Sequence, residues 1–234
     1  MQIIDIKDKG KVLQSQLLLQ LEGIEHYSST KETLHAEEGI WMPKQVHGTT
    51  VVVLSKDNSP MTEGNAEIPE ADAVICNMPG QWVGVRTADC VPVLIYDPAQ
   101  RVIAAIHAGW RGTVAHIVQK TIQQLKTDYG CNASDLYAMV GPSISPESFE
   151  VGPEVAEAFI QAGRKDCILS PLSAHQKPHI DLWQSNVMDM LEEGLDLEHI
   201  DCTPICTLQN SDILYSARKE GIGTGRIVTA IRLK

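Results

Sequence analysis

The stretch TADCVPVLIYDPAQRVIAAIHAGWRG, residues 87–112, predicts a β-hairpin with reactive side chains near both ends. Residues 91–96 and 101–106 are two apolar runs, and Asp-Pro-Ala-Gln at 97–100 is typical of the turn between two strands. The two runs lack the polar alternation of a half-exposed strand. We therefore expect the hairpin to lie in a sheet that is covered on both faces.

The ends of this hairpin predict a metal site. Counting outward from the centre of the turn places Cys90 directly opposite His107, and opposed residues of an antiparallel pair have Cβ atoms about 5 Å apart on one face. A thiolate and an imidazole at this separation suit zinc or copper. His47, in Gln-Val-His-Gly, can supply a third ligand. Three protein ligands with a fourth position open are typical of a catalytic rather than a structural site.

The rest of the chain interleaves helices and strands. Apolar spacing predicts a helix from Arg111 to a stop at Gly130, a second that opens at Pro153 and a third capped by Asp181. Further strands are expected at residues 51–54, 73–76, 81–87, 136–140, 213–217 and 227–233, with a long polar loop at 55–71. Because the hairpin makes part of the sheet antiparallel, we predict a mixed α/β sandwich, a single catalytic domain over residues 1–234.

The composition narrows the classes of partner. The 234 residues include 30 acidic and 19 basic side chains, a formal net charge of −11, and no block of Lys and Arg occurs. An acidic surface argues against nucleic acid and anionic membranes, although a local cationic pocket would still bind a small anion. The charged start of the chain is unlike a signal peptide and no run of 18 apolar residues occurs, so we expect a soluble, cytoplasmic protein. The six scattered cysteines are expected to be free thiols.

An anion site is predicted close to His107. Arg111 and the N–H groups after it open the next helix, and such a start suits phosphate; a solvated Arg on a first helical turn is the alternative. On spacing alone, Cys90 is either a metal ligand or a packed thiol. Asp89 beside it is a candidate proton donor. Gly-Thr-Gly-Arg at 223–226 lacks the Rossmann and Walker patterns and is interpreted as a turn.

Three segments together resemble the signature of the bacterial polyphenol oxidase, or laccase-domain, family: residues 45–48, 87–92 and 107–112. Further segments that resemble family landmarks, in the same order, are Gly-Pro-Ser-Ile at 141–144, Phe-Glu-Val-Gly at 149–152, Asp181-Leu182 with Asn186, and Thr-Gly-Arg at 224–226. The resemblance runs from about residue 24 to residue 234. Members of this family are regarded as multifunctional purine nucleoside enzymes.

The resemblance implies an α/β sandwich with one zinc-type site at His47, Cys90 and His107, with copper as the other candidate metal. It implies phosphorolysis of adenosine, inosine, guanosine and methylthioadenosine, deamination of adenosine, and a copper-dependent oxidation of phenols. The chain departs from the family near its start, where Tyr-Ser-Ser-Thr-Lys, ending on Lys31, replaces a Phe-Thr-Thr-Arg-like segment. Arg86 adds an unusual cation near the site.

Four functions compete. The leading hypothesis is a purine nucleoside phosphorylase with adenosine deaminase activity, in which Arg111, Arg86 and Lys44 are candidates for holding phosphate. A copper-dependent polyphenol oxidase is the alternative, but four-copper laccases use several His-X-His pairs and this chain contains none. A hydrolase with Cys90 as nucleophile and His107 as base is a third interpretation. A non-catalytic zinc protein, which would need a fourth protein ligand, is the last.

Overall fold

The hairpin forms as two long strands, β8 (Val91–Asp97) and β9 (Val102–Ala108), at the centre of a six-stranded sheet. Every residue of both strands is buried, which confirms that the sheet is covered on both faces. The structure, a computed structural model, describes residues 1–6, 9–55, 68–169, 177–202 and 204–234. The loop predicted at 55–71 lies outside the described residues from 56 to 67.

The register of the hairpin differs from the predicted one. Pro92 lies opposite His107, so the prediction that Cys90 faces His107 directly is wrong. The turn occupies residues 98–101, one residue later than expected, because the Asp97 carboxylate accepts the N–H groups at positions 99 and 100 at 2.8 and 2.9 Å. The pairing is thereby displaced by two residues. Since side chains alternate with a period of two, Cys90 and His107 still share a face.

Two six-stranded sheets and one short strand pair make up the β structure of the described residues. The other strands are β1 (Gln2–Ile6), β2 (Gly10–Gln14), β3 (Ile24–Ser29), β4 (Ile40–Trp41), β5 (Val51–Leu54), β6 (Ala73–Cys76), β7 (Trp82–Thr87), β10 (Tyr137–Val140), β11 (Ile168–Leu169), β12 (His179–Ile180), β13 (Ile200–Asp201) and β14 (Ile227–Leu233). The first sheet has the order β1-β2-β3-β14-β7-β4, the second β13-β10-β8-β9-β6-β5, and β11 pairs with β12. Antiparallel pairs dominate, but β4–β7, β5–β6 and β10–β13 are parallel, so both large sheets are mixed.

The two large sheets pack face to face and helices cover one of them. Side chains that fill the layer between the sheets include Val83, Val85 and Ile231 from the first sheet and Leu94, Ile103 and Ala105 from the second. The helices are α1 (Gln16–Leu19), α2 (Trp110–Val114), α3 (Ile117–Tyr129), α4 (Pro153–Gln161), α5 (Leu182–Glu193) and α6 (Ala217–Glu220). Ile122 of α3, Phe159 of α4 and Met190 of α5 pack with Ile106 on the far face of the second sheet. This layering confirms the mixed α/β sandwich.

The helix predicted from Arg111 to Gly130 is broken in two. His116, between α2 and α3, takes a left-handed φ of 57°, and its Nδ1 lies 2.9 Å from the buried Asp189 carboxylate of α5. That buried polar contact overrides the helical spacing of the sequence. The stop at Gly130, the start of α4 at Pro153 and the Asp181 cap of α5 are confirmed.

The C-terminal region contains one confirmed and one wrong strand. β14 forms as predicted and pairs with both β3 and β7 in the middle of the first sheet. Residues 213–217 form a turn and the start of α6 instead of a strand, because the Ser216 hydroxyl caps the helix by accepting the N–H of Lys219 at 3.3 Å.

Acid is expected to destabilise this fold through His26 on β3. His26 is 2% exposed, its Nε2 accepts the N–H of Ser15 at 2.9 Å, and burial lowers its pKa to about 4 despite the nearby Asp201 carboxylate. The unfolded chain takes up a proton near pH 6.5, whereas the folded chain resists it down to about pH 4. The His26 contribution is therefore complete above pH 6.5 and is lost as the pH falls toward 4. At pH 5 the loss is about 2 kcal/mol.

Urea unfolding of the His26→Gln variant measures this effect. Glutamine offers an acceptor to the same N–H but does not titrate, so the free energy of unfolding should fall less between pH 7.5 and pH 5 than in the unmodified protein. His35→Gln is the matched control, because the His35 side chain is 77% exposed. Equal pH dependence of the two variants would contradict the assignment to His26.

Candidate active site

The three predicted metal ligands meet at one end of the layer between the sheets. His47 lies in the loop between β4 and β5, Cys90 immediately precedes β8, and His107 is the penultimate residue of β9. Their ligand atoms lie within 4.8 Å of one another, and the His47 and His107 rings meet edge to face with centroids 4.8 Å apart. Among the residues that the structure describes, this is the only cluster of three or more His, Cys, Asp or Glu side chains that could hold a metal.

Asp72, which the sequence analysis missed, holds two of these ligands in place. Its buried carboxylate lies 2.8 Å from Nδ1 of His107 and accepts the backbone N–H groups of His47 and Gly48 at 2.9 and 2.6 Å. Its carbonyl accepts the N–H of His107 at 2.7 Å. Because Nδ1 is engaged, Nε2 of His107 is the nitrogen available to the cluster, the arrangement found when a carboxylate supports a metal-bound histidine.

The electrostatics of the cluster favour a thiolate. Burial raises the pKa of Cys90, but hydrogen bonds with His107 and His47 outweigh burial and bring that pKa to about 6. Burial lowers the pKa of His107, but its contacts with Asp72 and Cys90 raise it to about 9. Burial also raises the pKa of Asp72, and the His107 contact and the N–H of Gly48 more than reverse that shift. A thiolate beside two imidazoles is a donor set for zinc or copper.

Gly109 leaves room where the three ligands converge. A Cβ at this position would lie 3.1 Å from Cδ2 of His47, 3.2 Å from Sγ of Cys90 and 3.7 Å from Cε1 of His107. Only hydrogen therefore fits without pressing on two of the ligands. The space, the soft and borderline donors and the supporting carboxylate fit a zinc-type ion, whose bonds are about 2.0–2.3 Å long.

Asp89 supports the backbone beside the cluster. Its carboxylate accepts the Thr207 hydroxyl and the N–H of Arg218, each at 2.6 Å, and its carbonyl accepts the N–H of Ile144 at 3.0 Å. Its φ of 91° is unusual for a residue with a side chain, and these three contacts hold it there. Since both carboxylate oxygens are engaged, the geometry favours a structural role over proton donation.

A cleft of about 730 Å³ opens onto the cluster. Three cations line it, Lys44, Arg86 and Arg226, together with apolar side chains that include Met42 and Ile222, and no carboxylate residue is among the described residues of its wall. Ile222 is 89% exposed at this surface. Apart from the Cys90 thiolate in the cluster itself, the charged side chains among the described residues of this wall are thus all positive, a setting that suits an anionic ligand.

The cleft cations have weak or exposed partners. Lys44 pairs with Glu70 at 2.8 Å, and both side chains are more than half exposed. Arg86 lies 3.6 Å from Glu37. Exposed ion pairs of this kind are weak, so a bound anion can replace the glutamate as partner of either cation.

Arg226 reached the cleft although its segment was interpreted from sequence as a tail turn. The segment is a turn, and the Arg226 guanidinium donates to the carbonyls of Ile222, Thr224 and Gly225. The pairing of β14 with β7 brings it beside the Arg86 end of β7. The resemblance of Thr-Gly-Arg to a family landmark was the available signal.

Arg111 and Lys31 lie outside the cleft wall. Arg111 is exposed on α2, with its guanidinium carbon 4.4 Å from the centroid of the Trp110 ring. Lys31 donates to Glu220 at 2.5 Å and to the carbonyl of Ser211 at 2.6 Å. The predicted phosphate contacts are therefore divided: Arg86 and Lys44 share the cleft with the metal cluster, and Arg111 does not.

Comparisons with known proteins agree with the geometry. The family described as multi-copper polyphenol oxidoreductase laccase matches residues 24–234. A protein of Bacteroides thetaiotaomicron named purine nucleoside phosphorylase is 40% identical over 205 residues, covering 84% of this chain and 74% of the relative. Adenosine deaminase RL5, from an unknown prokaryotic organism, is 34% identical and covers 82% and 74%. The crystal structure of YlmD from Geobacillus stearothermophilus shares the fold with a TM-score of 0.81 at 20% identity, over 99% of this chain and 98% of that one.

None of the helices in the described ranges is long and apolar enough to cross a membrane.

Proposed function

The chain belongs to the family described as multi-copper polyphenol oxidoreductase laccases, and from that premise we propose that it is a purine nucleoside phosphorylase that also deaminates adenosine. The names of its relatives support both activities. The proposed substrates are adenosine, inosine, guanosine and methylthioadenosine, with inorganic phosphate as co-substrate. The observation that carries the proposal is the His47, Cys90 and His107 group, the one group among the described residues that could hold a metal, in a cleft that Lys44 and two arginines line.

The chain's own residues divide the work of binding. His47, Cys90 and His107 would hold a zinc-type ion, which supplies a Lewis acid when bound. Arg86 and Lys44, which line the cleft, would bind phosphate, and Arg226 adds a third positive charge. The apolar wall gives the purine ring a surface to pack on.

Both reactions balance without an oxidant. In phosphorolysis a phosphate oxygen bonds to the anomeric carbon of ribose as the bond to the purine nitrogen breaks, and the base takes a proton. In deamination water replaces the 6-amino group of adenine and ammonia leaves. Only phosphorolysis consumes phosphate, so leaving phosphate out of the assay should stop phosphorolysis and leave deamination.

Incubating the zinc-loaded protein with adenosine tests the proposal. With phosphate, the expected products are adenine with ribose 1-phosphate, and inosine with ammonia, part of the inosine being cleaved further to hypoxanthine and ribose 1-phosphate; without phosphate, only inosine and ammonia should form. Chromatography with mass detection identifies each product. A protein that leaves adenosine and inosine unchanged under every phosphate and metal condition would refute the assignment.

Arg86→Ala is expected to raise the KM for phosphate about ten- to hundredfold, the usual cost of losing an Arg–phosphate contact. Adenosine deamination should change little, because it uses no phosphate. Arg111→Ala is the matched control: Arg111 lies outside the cleft wall, and its removal should leave the KM for phosphate within about twofold. The reverse ranking of the two variants would return the phosphate site to the start of α2.

Copper-dependent phenol oxidation is at most a side activity in this proposal. One Cys and two His ligands can hold a single copper. Reducing oxygen to water takes four electrons, and the described residues offer one metal cluster rather than the several that a four-copper laccase uses.

A further inference from the structure

The Thr87 hydroxyl stands out among the buried polar groups. Six buried side-chain nitrogen or oxygen atoms of the described residues have no hydrogen-bond partner, and Thr87 Oγ1 is one of them. Thr87 is the only residue of that set that lines the cleft. It is 1% exposed. A buried hydroxyl without a partner is disfavoured, so its presence calls for a reason.

The strand geometry places Thr87 toward the metal cluster. Side chains alternate along β7, so Thr87 shares a face with Val83 and Val85, which fill the layer between the sheets. In the opposite sheet, His107 follows Ile103 and Ala105 on the face that fills the same layer. Thr87 and His107 therefore close the same end of that layer from its two sides.

Thr87 is buried more deeply in the cleft than the cations Arg86 and Lys44. The Arg86 and Lys44 side chains are 46% and 67% exposed, whereas Thr87 is almost fully enclosed. An anion held by exposed cations lies near the mouth of a cleft, and the nucleoside must reach further in toward the metal ligands. The buried hydroxyl is thus placed for the nucleoside rather than for phosphate.

We propose that Thr87 is a nucleoside-binding residue whose hydroxyl hydrogen-bonds a polar group of the bound nucleoside. This inference rests on the proposed function. Valine has the same shape as threonine and would satisfy the strand and its packing without a buried unpaired group. The hydroxyl therefore has a cost in the unliganded protein, and the nucleoside supplies the missing partner.

Thr87→Val and Thr87→Ser test the proposal as a pair. The valine variant should be at least as stable to urea as the unmodified protein, yet its kcat/KM for adenosine should fall about tenfold, or about 1.4 kcal/mol. Both deamination and phosphorolysis should fall, while the KM for phosphate stays within about twofold. The serine variant keeps the hydroxyl and should stay within about threefold of the unmodified protein. Thr87→Ala, which also lacks the hydroxyl, serves if the valine variant does not fold.

Thr229→Val is the matched control, in which stability rather than nucleoside binding should change. Thr229 is a buried threonine on β14, and its hydroxyl is paired with that of Ser28 at 2.8 Å. Its loss should lower stability and leave the KM for adenosine unchanged. Two results would overturn the role of Thr87 alone: unchanged kinetics in Thr87→Val, or equal losses in the valine and serine variants. An unmodified protein inactive on every nucleoside would instead remove the proposed function and the role of Thr87 with it.

Discussion

Cys90→Ala is expected to abolish stoichiometric zinc binding and to lower nucleoside turnover by more than about a hundredfold. Changes to the groups around metal ligands typically cost ten- to hundredfold, and losing a ligand should cost more. The thiolate is the one anionic ligand in the cluster, so its loss leaves two imidazoles, of which the His47 ring is exposed. Two imidazoles bind zinc more weakly than two imidazoles and a thiolate, so the ion should be lost on dilution.

Elemental analysis of purified protein, together with turnover of adenosine, measures this effect. Cys202→Ala is the control, because Cys202 is a free, exposed thiol outside the cleft wall. One ion per chain and full activity in Cys90→Ala would place the metal site elsewhere. If the unmodified protein were active while holding no metal, and Cys90→Ala abolished that activity, the Cys-His hydrolase would be favoured instead.

The pairing of Cys90 with His107 was predictable because its geometry is local. Cys90 and His107 end the two strands of one hairpin, so only the parity of the register mattered. The turn shifted the pairing by two residues and kept both side chains on one face. A shift of one residue would have separated them. Residue type and alternation were therefore sufficient where the exact register was not.

The supporting groups were not predictable because their partners are distant in the chain. Asp72 lies 25 residues from His47 and 35 from His107. Its place before the buried strand β6 is the only local hint. Arg226 reaches the cleft through the pairing of β14 with β7, which no local pattern specifies. Arg111 shows the opposite case. It is close to His107 in the sequence but does not lie in the cleft wall.

The same argument explains the fold. Buried strands such as β8, β9 and β14 were found from their apolar runs, and caps such as Asp181 marked helix starts correctly. The errors arose where polar contacts decided the backbone. Two of these contacts are local, at Asp97 and Ser216, and one is long-range. His116 breaks a helix through its contact with Asp189, whose carboxylate lies on α5 and 73 residues further along the chain.

Asp72→Asn is expected to weaken zinc binding about ten- to hundredfold, although Asp72 is not itself a ligand. The carboxylate is 0% exposed and accepts from His107 and from the backbone of the His47 loop. An amide has the same shape but carries no charge and only one acceptor oxygen. In Asp72 one carboxylate oxygen accepts from His107 and from the N–H of His47, and the other accepts the N–H of Gly48. The amide must turn its NH2 group toward one of these two sets, so either His107 loses the acceptor that directs Nε2 toward the metal or Gly48 loses its partner. Hydrogen bonds to a charged group are worth about 1.5–3 kcal/mol, so stability should fall as well.

Asp97→Ala, which removes the acceptor oxygen altogether, separates metal binding from stability. Asp97 is also a buried carboxylate in the second sheet, and it accepts two backbone N–H groups in the hairpin turn. Its substitution should lower the free energy of unfolding to a similar degree while leaving the zinc Kd unchanged, because it touches no metal ligand. Competition with a chelator gives the zinc Kd of each variant, and urea unfolding gives its stability. If both variants lost stability and neither lost zinc affinity, Asp72 would be a structural carboxylate, and the orientation of His107 would come from its strand alone.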